Sequence, residues 1–275
     1  MKKFIVTNYT IYEDQIYTTA YKPQDHHLRF VFVTDLHNIS YGENNVRLIQ
    51  AIKDAKPDLV LLGGDLVLGK PNKSCVQAMN FVREIAKIFP TFYANGNHEQ
   101  RLSLYPETYG DMNERFLALL SDTKAVHLVN DSVDFTCDSV PVRIHGFQAD
   151  RSYYKRLQRR SIQMPVDELN QVFGRPDREH FHILLAHNPS YTETYLDWGA
   201  DLTFCGHFHG GVVRIGKHHG LINPNLQLFS RYCYGMYEKD KKRVIISSGL
   251  GEHSVPMRIH NPYEIVVTDL YIRKE

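Results

Sequence analysis

The sequence feature that most constrains the fold is a series of short apolar runs that alternate with helical patterns in the first half of the chain. The runs are rich in β-branched and aromatic residues, which predicts buried strands. They cover residues 28–33, 59–62, 91–93, 142–145, 183–186, 202–204, 244–246 and 265–267. Because strands that alternate with helices favour parallel pairing with right-handed crossovers, the first half predicts a parallel sheet.

Three segments between or after the early strands have the spacing of an amphipathic helix. In the first of them Val46, Ile49 and Ile52 recur on one face, and the pattern stops before Pro57. The three segments are 45–55, 75–89 and 111–121. The second half has denser strands and turns, which predicts a second sheet packed on the first.

These patterns predict an α/β fold, which some schemes class as α+β. The expected architecture is a four-layer αββα sandwich, with two mixed β-sheets flanked by helices. We expect a single domain over residues 1–275, because the chain shows no repeat, low-complexity tract or Pro/Ser-rich linker. Two segments, 151–161 and 222–242, are basic or rich in aromatic residues and are predicted to be decorations that face the substrate.

Composition restricts the class of function. Of the 275 residues, 43% are hydrophobic, which is enough for a substantial core. The net charge of +1 is too small for a protein that binds nucleic acid by neutralising phosphates, so no specific nucleic-acid binding is expected.

The cysteines and the hydropathy pattern indicate a compartment. The four cysteines are scattered without a CxxC spacing, which is typical of reduced thiols in the cytosol. The first six residues resemble the start of a signal peptide, but polar residues follow directly, and no apolar stretch approaches the ~18 residues that span a bilayer. The sequence therefore predicts a soluble cytoplasmic protein without a membrane span; the oligomeric state is not predicted.

Five short motifs rich in metal ligands follow predicted strands in a fixed order. They are Asp35-Leu36-His37, Gly64-Asp65, Gly96-Asn97-His98-Glu99, His187-Asn188 and Gly206-His207-Phe208-His209. Ligands gather at the carboxyl ends of strands in α/β sheets, so we expect the motifs to converge. Each motif alone also fits an ordinary turn with an exposed side chain. The seven candidate ligands among them offer two carboxylates, one amide oxygen and four imidazoles, which fits two divalent cations side by side.

In this order the motifs resemble those of the calcineurin-like metallophosphoesterases, from about residue 28 to residue 262. The resemblance implies three ligands for each of two divalent metal ions and one bridge between them. The ligands of the first metal would be Asp35, His37 and His209, those of the second Asn97, His187 and His207, and the bridge Asp65. Mn²⁺ is the expected metal, and Fe or Zn are alternatives with the same nitrogen and oxygen ligands.

The same resemblance implies a phosphoesterase that hydrolyses a phosphodiester or pyrophosphate bond by attack of a metal-bridging hydroxide. His98 would contact the substrate and protonate the leaving group, and Glu99 would brace the loop. Many members carry an aspartate three residues after the bridging one, where it orients the catalytic histidine. This chain has Leu68 there, so the sequence leaves open what supports His98.

The C-terminal part narrows the resemblance. The stretches 248–251, 256–259 and 261–262 are similar to the branch of bacterial phosphodiesterases of the YaeI and YkuE types. That branch implies a small phosphoester substrate, with nucleotide sugars and lipid-linked compounds among the possibilities. Arg258 and Arg151 are predicted to bind the substrate, although Arg258 also fits a structural ion pair and Arg151 a solvated helix face. A phosphomonoesterase or protein phosphatase, and a non-catalytic interaction scaffold, are the alternative functions.

Overall fold

A six-stranded mixed sheet forms the first half of the fold. The computed structural model describes residues 2–13, 25–154, 162–211, 213–215, 219–222, 228–230, 232–252 and 258–272. In the order of the first sheet, its strands are β1 (Phe4–Glu13), β15 (Tyr263–Ile272), β2 (His26–Val33), β3 (Leu59–Leu62), β4 (Thr91–Ala94) and β5 (Val126–Leu128). Strands β2 to β5 run parallel, as predicted, whereas β15 is antiparallel to β2.

A second six-stranded mixed sheet comes from the later strands. In spatial order they are β13 (Gly235–Lys239), β14 (Lys242–Ile246), β9 (Leu202–Cys205), β8 (Phe181–Ala186), β7 (Val140–Phe147) and β6 (Asp131–Cys137). The four central strands are parallel and the two edge strands are antiparallel to their neighbours. A small antiparallel sheet that the sequence did not predict contains β10 (Arg214–Ile215), β11 (His219–Ile222) and β12 (Leu228–Ser230).

Helices cover the outer faces of the two large sheets. They are α1 (Val46–Ala55), α2 (Val76–Ala86), α3 (Asn97–Leu104), α4 (Pro106–Tyr109), α5 (Met112–Ser121), α6 (Asp167–Phe173) and α7 (Thr192–Trp198). Apolar side chains of α1, α2 and α5 share a core with the first sheet. Side chains of α6 and α7 share another core with the second sheet. The three predicted helical segments are confirmed by α1, α2 and α5.

Alternation along the strands explains the layering. In β2, Val31 and Val33 face the helices, whereas Phe30 and Phe32 face the second sheet, because successive side chains of a strand point to opposite faces. Phe32 stacks on Phe204 of β9 with ring centroids 4.8 Å apart. Both faces of both sheets are therefore covered, and the predicted α/β sandwich with two mixed sheets is confirmed.

The two segments predicted to be decorations are described only in part. Arg151–Tyr154 form a 3-10 turn, and residues 155–161 lie outside the described part of the chain. In the second segment, residues 223–227 and 231 also lie outside it, whereas Gly235–Lys239 form an edge strand of the second sheet. Among the described residues, no helix is long and apolar enough to cross a membrane.

Candidate metal centre

The five motifs all lie at the carboxyl ends of parallel strands. In the first sheet Asp35 follows β2, Asp65 follows β3, and Asn97 follows β4. In the second sheet His187 comes directly after β8 and His207 shortly after β9. Since the strands that precede the motifs are parallel within each sheet and the sheets are stacked, the motifs meet at one edge of the sandwich.

The ligand atoms form two neighbouring groups. One contains Asp35, His37 and His209, and the other contains Asp65, His187 and His207. Within each group one ligand atom per residue lies within 4.8 Å of the others. The groups adjoin, because Nε2 of His187 is 3.2 Å from Oδ2 of Asp65 and 3.8 Å from Oδ1 of Asp35. Two cation positions side by side are thus compatible with this arrangement.

Two buried atoms in the centre are oriented as metal ligands would be. Nδ1 of His187 lies 2.7 Å from the carbonyl oxygen of Gly63, to which it donates, so Nε2 is the nitrogen that faces the carboxylates. Neither Nε2 of His187 nor Oδ1 of Asn97 has a hydrogen-bond partner within the described parts of the chain. Buried polar atoms are normally paired, so these two lone pairs fit coordination of a divalent cation.

The electrostatics of the centre also favour the binding of a cation. Burial, and to a smaller extent the Asp65 carboxylate, raises the pKa of Asp35. Burial would lower the pKa of His187, but the carboxylates of Asp65 and Asp35 raise it to about 10. Two buried carboxylates need positive charge beside them, which divalent metal ions would supply. Burial lowers the pKa of His37 to about 4, so this imidazole is neutral and able to coordinate.

The backbone at the ligands is strained. Five of the proposed ligands have positive φ, in the left-handed region that side chains usually avoid. The values are 53° at Asp35, 48° at His37, 52° at Asp65, 65° at His207 and 49° at His209. Such conformations cost about 1–3 kcal/mol each and concentrate at functional sites. The turns are tightly packed as well: a Cβ at Gly64 would lie 2.1 Å from the backbone nitrogen of Gly96.

Glu99 holds the turn that carries Asp65. Its two carboxylate oxygens accept hydrogen bonds from the backbone amides of residues 65, 66, 67 and 96, at 2.8 to 3.2 Å. The hydroxyl of Tyr93 donates a further bond at 2.8 Å. Glu99 is buried, and it also caps the start of α3, where His98 lies. The expectation that Glu99 braces the loop is confirmed.

His98 is supported by a backbone amide. The N–H of Gly69 donates to Nδ1 of His98 at 2.8 Å. A Cβ at residue 69 would lie 2.8 Å from the carbonyl oxygen of His98, so only glycine allows this close approach. Nδ1 is therefore an acceptor, and the neutral ring carries its proton on Nε2, which lies 3.8 Å from Oδ2 of Asp65. Burial lowers the pKa of His98 to about 3, consistent with a neutral ring.

A cavity of about 210 Å³ opens on the centre. Besides six of the predicted site residues and Leu68, its lining includes residues that the sequence did not indicate: Gly69, Lys70, Arg101 and Glu252. Arg101 lies three residues after His98 on α3, which was not predicted from the sequence. Had a helix been predicted there, the spacing would have placed both side chains on one face. The amide of Gly69 could not have been found, because a backbone donor has no side-chain signature.

The two arginines predicted to bind substrate have other contacts. Nη2 of Arg258 donates to the carbonyl oxygens of Gly251 and Ser248 at 2.6 and 2.7 Å, and it lies 3.1 Å from Nδ1 of His209. The guanidinium of Arg151 lies 5.9 Å from the ring of Tyr154, and that ring packs on His207. Arg258 therefore contacts one candidate metal ligand directly, and Arg151 is linked to another through Tyr154.

The fold and the site define a class of protein. Buried carboxylates, imidazoles and an amide oxygen lie at the shared edge of two stacked mixed sheets, as in a metal-dependent hydrolase. The chain belongs to the calcineurin-like phosphoesterase family, whose sequence profile matches residues 28–211. It is thus a member of a family of metal-dependent enzymes that hydrolyse phosphoesters.

Three bacterial relatives illustrate the similarity. The uncharacterised protein YpbG of Bacillus subtilis is 24% identical, over 84% of this chain and 76% of the relative. The uncharacterised metallophosphoesterase Cj0846 of Campylobacter jejuni is 28% identical over 90% of this chain, which spans 60% of that relative. The phosphodiesterase YaeI of Escherichia coli is 26% identical, over 81% of this chain and 75% of the relative.

Proposed function

We propose that the protein hydrolyses a phosphodiester or pyrophosphate bond in a small substrate, with two divalent cations, preferably Mn²⁺, in its centre. The observation that carries the proposal is the adjacency of the two ligand groups. Asp65 is 3.2 Å from His187, and His187 is 3.8 Å from Asp35 of the other group. The similarity to YaeI, named a phosphodiesterase, favours a diester as the substrate.

The ligand set favours an anionic substrate. Bound divalent cations supply Lewis acidity toward phosphoryl oxygens and lower the pKa of water. Of the seven proposed ligands only Asp35 and Asp65 carry negative charge, so the protein neutralises half the charge of two such cations. Asn97 contributes a neutral oxygen where an aspartate would remove more of that charge. The remaining positive charge attracts a phosphate ester to the cavity.

His98 would act as a neutral hydrogen-bond donor. Because the Gly69 amide already donates to Nδ1, a second proton there would place two N–H groups face to face. Nε2–H would instead donate to an oxygen of the substrate and stabilise the negative charge that develops as the ester bond breaks. The departing oxygen would then take its proton from water, which differs from the protonation by His98 that the resemblance implies, and His98 would not need the carboxylate that Leu68 replaces.

A phosphomonoester is the second candidate substrate. Lys70 and Arg101 both line the cavity together with His98 and add two positive charges, whereas Glu252 of the same lining is paired with Lys2. A monoester is a dianion near neutral pH and would use this extra charge more fully than a diester with one charge. Lys70 and Arg101 would also suit a diester that carries a second anionic group.

The test compares two model substrates on protein loaded with two equivalents of Mn²⁺. We expect bis(p-nitrophenyl) phosphate to be hydrolysed with a higher kcat/KM than p-nitrophenyl phosphate. A preference for the monoester would support the second candidate. If metal-loaded protein hydrolysed neither ester, the enzymatic proposal would be wrong and a scaffold function would be favoured.

Substitutions of ligands connect that activity to the centre. Under the same loading, Asp65→Ala and His207→Ala should each abolish hydrolysis, because each removes a proposed ligand. His180→Ala is the matched control, since this histidine lies near the start of β8, at the far end of that strand from His187. It should retain the activity of the unmodified protein. Equal activity in all four proteins would contradict the proposed site.

A further inference from the structure

A second group of metal ligands lies away from the cavity. Asp177, His180 and His182 each offer one ligand atom, all within 4.8 Å of one another. Nδ1 of His180 is 3.0 Å, and Nε2 of His182 is 3.2 Å, from Oδ1 of Asp177. His182 lies near the start of β8 and His187 just beyond its end, so about 16 Å of strand separates this cluster from the metal centre.

The spacing of these atoms suits a tetrahedral metal ion. Zinc binds imidazole nitrogen and carboxylate oxygen at about 2.0–2.2 Å, which places neighbouring ligand atoms about 3.3 Å apart in a tetrahedron. The two distances from Asp177 are close to that value. Nη1 of Arg143 binds the other carboxylate oxygen at 2.7 Å, which fixes Asp177 and turns Oδ1 toward the histidines.

The hydrogen bonds alone leave Oδ1 of Asp177 overloaded. Besides the two imidazoles, the backbone amides of Glu179 and His180 donate to it at 2.9 and 3.1 Å. A carboxylate oxygen has two lone pairs, so four donors exceed its capacity. A cation in place of the two imidazole protons would lower the number of partners of Oδ1 from four to three, namely two amide donors and one metal bond.

Buried groups behind His182 provide an independent indication. Nδ1 of His182 is 2.9 Å from Nε2 of His145, and Nδ1 of His145 is 2.6 Å from the hydroxyl of Ser132. Either nitrogen of a neutral imidazole can carry the proton, so each of these rings can change tautomer. With Nε2 of His182 on a metal, its Nδ1–H would donate to His145, and His145 would donate to Ser132. Metal-bound histidines usually have such an acceptor behind them.

We propose that Asp177, His180 and His182 bind a zinc ion, or a divalent ion of similar preference such as cobalt or nickel, at a peripheral structural site. Water would complete the coordination, because the side chains of Asp177 and His180 are partly exposed. Asp134 lies 3.8 Å from the other nitrogen of His180 and adds negative charge near the ion. The site does not depend on the proposed function, because it shares no residue with the metal centre.

The test counts zinc ions bound at equilibrium. Metal-depleted protein is dialysed against zinc chloride, and bound zinc is measured by elemental mass spectrometry. His180→Ala should bind about one zinc ion fewer per chain than the unmodified protein. Zinc should also raise the thermal unfolding temperature less in this variant. The control is His27→Ala. His27 lies 2.6 Å from Asp269, and this aspartate pairs with one imidazole where Asp177 pairs with two. The control should leave the zinc count unchanged.

A second variant guards against an effect on folding. Asp177→Asn keeps a side-chain oxygen that can accept from the amides of residues 179 and 180, but it removes the anionic ligand, so it should also lose about one zinc ion. Hydrolysis of the model diester should be unaffected in both variants. Equal zinc counts in the unmodified protein, His180→Ala and Asp177→Asn would overturn the peripheral site and leave the proposed function untouched.

Discussion

The two sheets contribute different chemistry to the metal centre. The first sheet supplies both carboxylates, Asp35 and Asp65, together with the proposed substrate donor His98. The second sheet supplies only imidazoles, which add no negative charge, from His187, His207 and His209. This difference suggests that the first sheet determines the charge of the centre and the chemistry of the reaction, whereas the second mainly determines how tightly metal is bound.

The supports of the two halves differ in the same way. In the first sheet the carboxylate of Glu99 collects backbone amides from two loops and fixes the turn of Asp65. The histidines of the second sheet have carbonyl partners: Nδ1 of His187 lies 2.7 Å from the carbonyl oxygen of Gly63, and Nδ1 of His209 lies 3.3 Å from that of Gly251. The carboxylate of Glu99 thus stabilises the ligand turn of the first sheet, whereas separate backbone carbonyl groups orient the histidines of the second. Substitutions in the two halves should therefore have distinguishable effects.

The largest contrast is expected between Asp65→Ala and His207→Ala when Mn²⁺ is raised to saturation. Asp65→Ala should remain inactive, with a loss on the order of 1,000-fold, because the charge stabilisation supplied by a paired metal site is worth several kcal/mol. His207→Ala should recover part of its activity, because it loses one neutral ligand and binds metal more weakly. The measurement is kcat for the model diester as a function of Mn²⁺ concentration. Recovery of both variants, or of neither, would remove the distinction between the sheets.

The next effect concerns the brace of the first sheet. Glu99→Gln replaces one carboxylate oxygen with an NH₂ group that faces amide donors, so the protein should lose about 2–3 kcal/mol of unfolding free energy. Activity should also fall, since the turn of Asp65 loosens. Urea unfolding measures the change. As a control, Glu84→Gln, at an exposed pair with Lys87, should cost less than about 0.5 kcal/mol. A cost as small as that of the control would show that Glu99 does not hold the turn.

A smaller effect is expected at Arg258, beside the second sheet. Arg258→Ala removes the donor to the Gly251 carbonyl and loosens His209, so Mn²⁺ affinity should fall about tenfold. Activity should return at saturating Mn²⁺. Arg115→Ala, which removes an arginine from an exposed pair with Asp111, should change neither quantity. A raised KM for the diester with unchanged metal affinity would instead support substrate binding by Arg258, as the sequence predicted.

The smallest effect is a change in pH dependence. Leu68→Asp places a carboxylate next to the loop that supports His98, and a paired carboxylate raises the pKa of a histidine. The His98 ring of the variant would then be protonated below the raised pKa, and it would lose this proton as the pH rises through that value. The variant should gain a basic limb in kcat/KM between about pH 5 and pH 9, with a change in rate below about tenfold. Identical profiles for the variant and the unmodified protein would show that residue 68 does not reach His98.

Long apolar patterns made much of the fold predictable. All eight predicted strands and three predicted helices are present, because the strands are compact runs of β-branched and aromatic residues and the helices have apolar residues at helical spacing. The first strand was not predicted: Ile5 and Val6 are exposed, and polar residues interrupt its apolar face. The strands of the small third sheet are two to four residues long, which is too short for a period to be recognised.

The ligand candidates were predictable because strand ends converge in an α/β sandwich. The structure brings a carboxylate oxygen of Asp35 and one of Asp65 within 4 Å of Nε2 of His187. The support of His98 was not predictable, because a backbone amide at Gly69 replaces a side chain. The peripheral cluster was missed for a different reason: His180 and His182 follow no strand end.

The central claim is that the two sheets together hold two metal ions that hydrolyse a phosphodiester. The most direct measurement titrates metal-depleted His180→Ala protein with Mn²⁺ while following hydrolysis of bis(p-nitrophenyl) phosphate, so that the peripheral cluster does not contribute. Hydrolysis should reach its plateau at about two Mn²⁺ ions per chain, as a paired metal site requires. A plateau at one ion, or two bound ions without hydrolysis, would contradict the account.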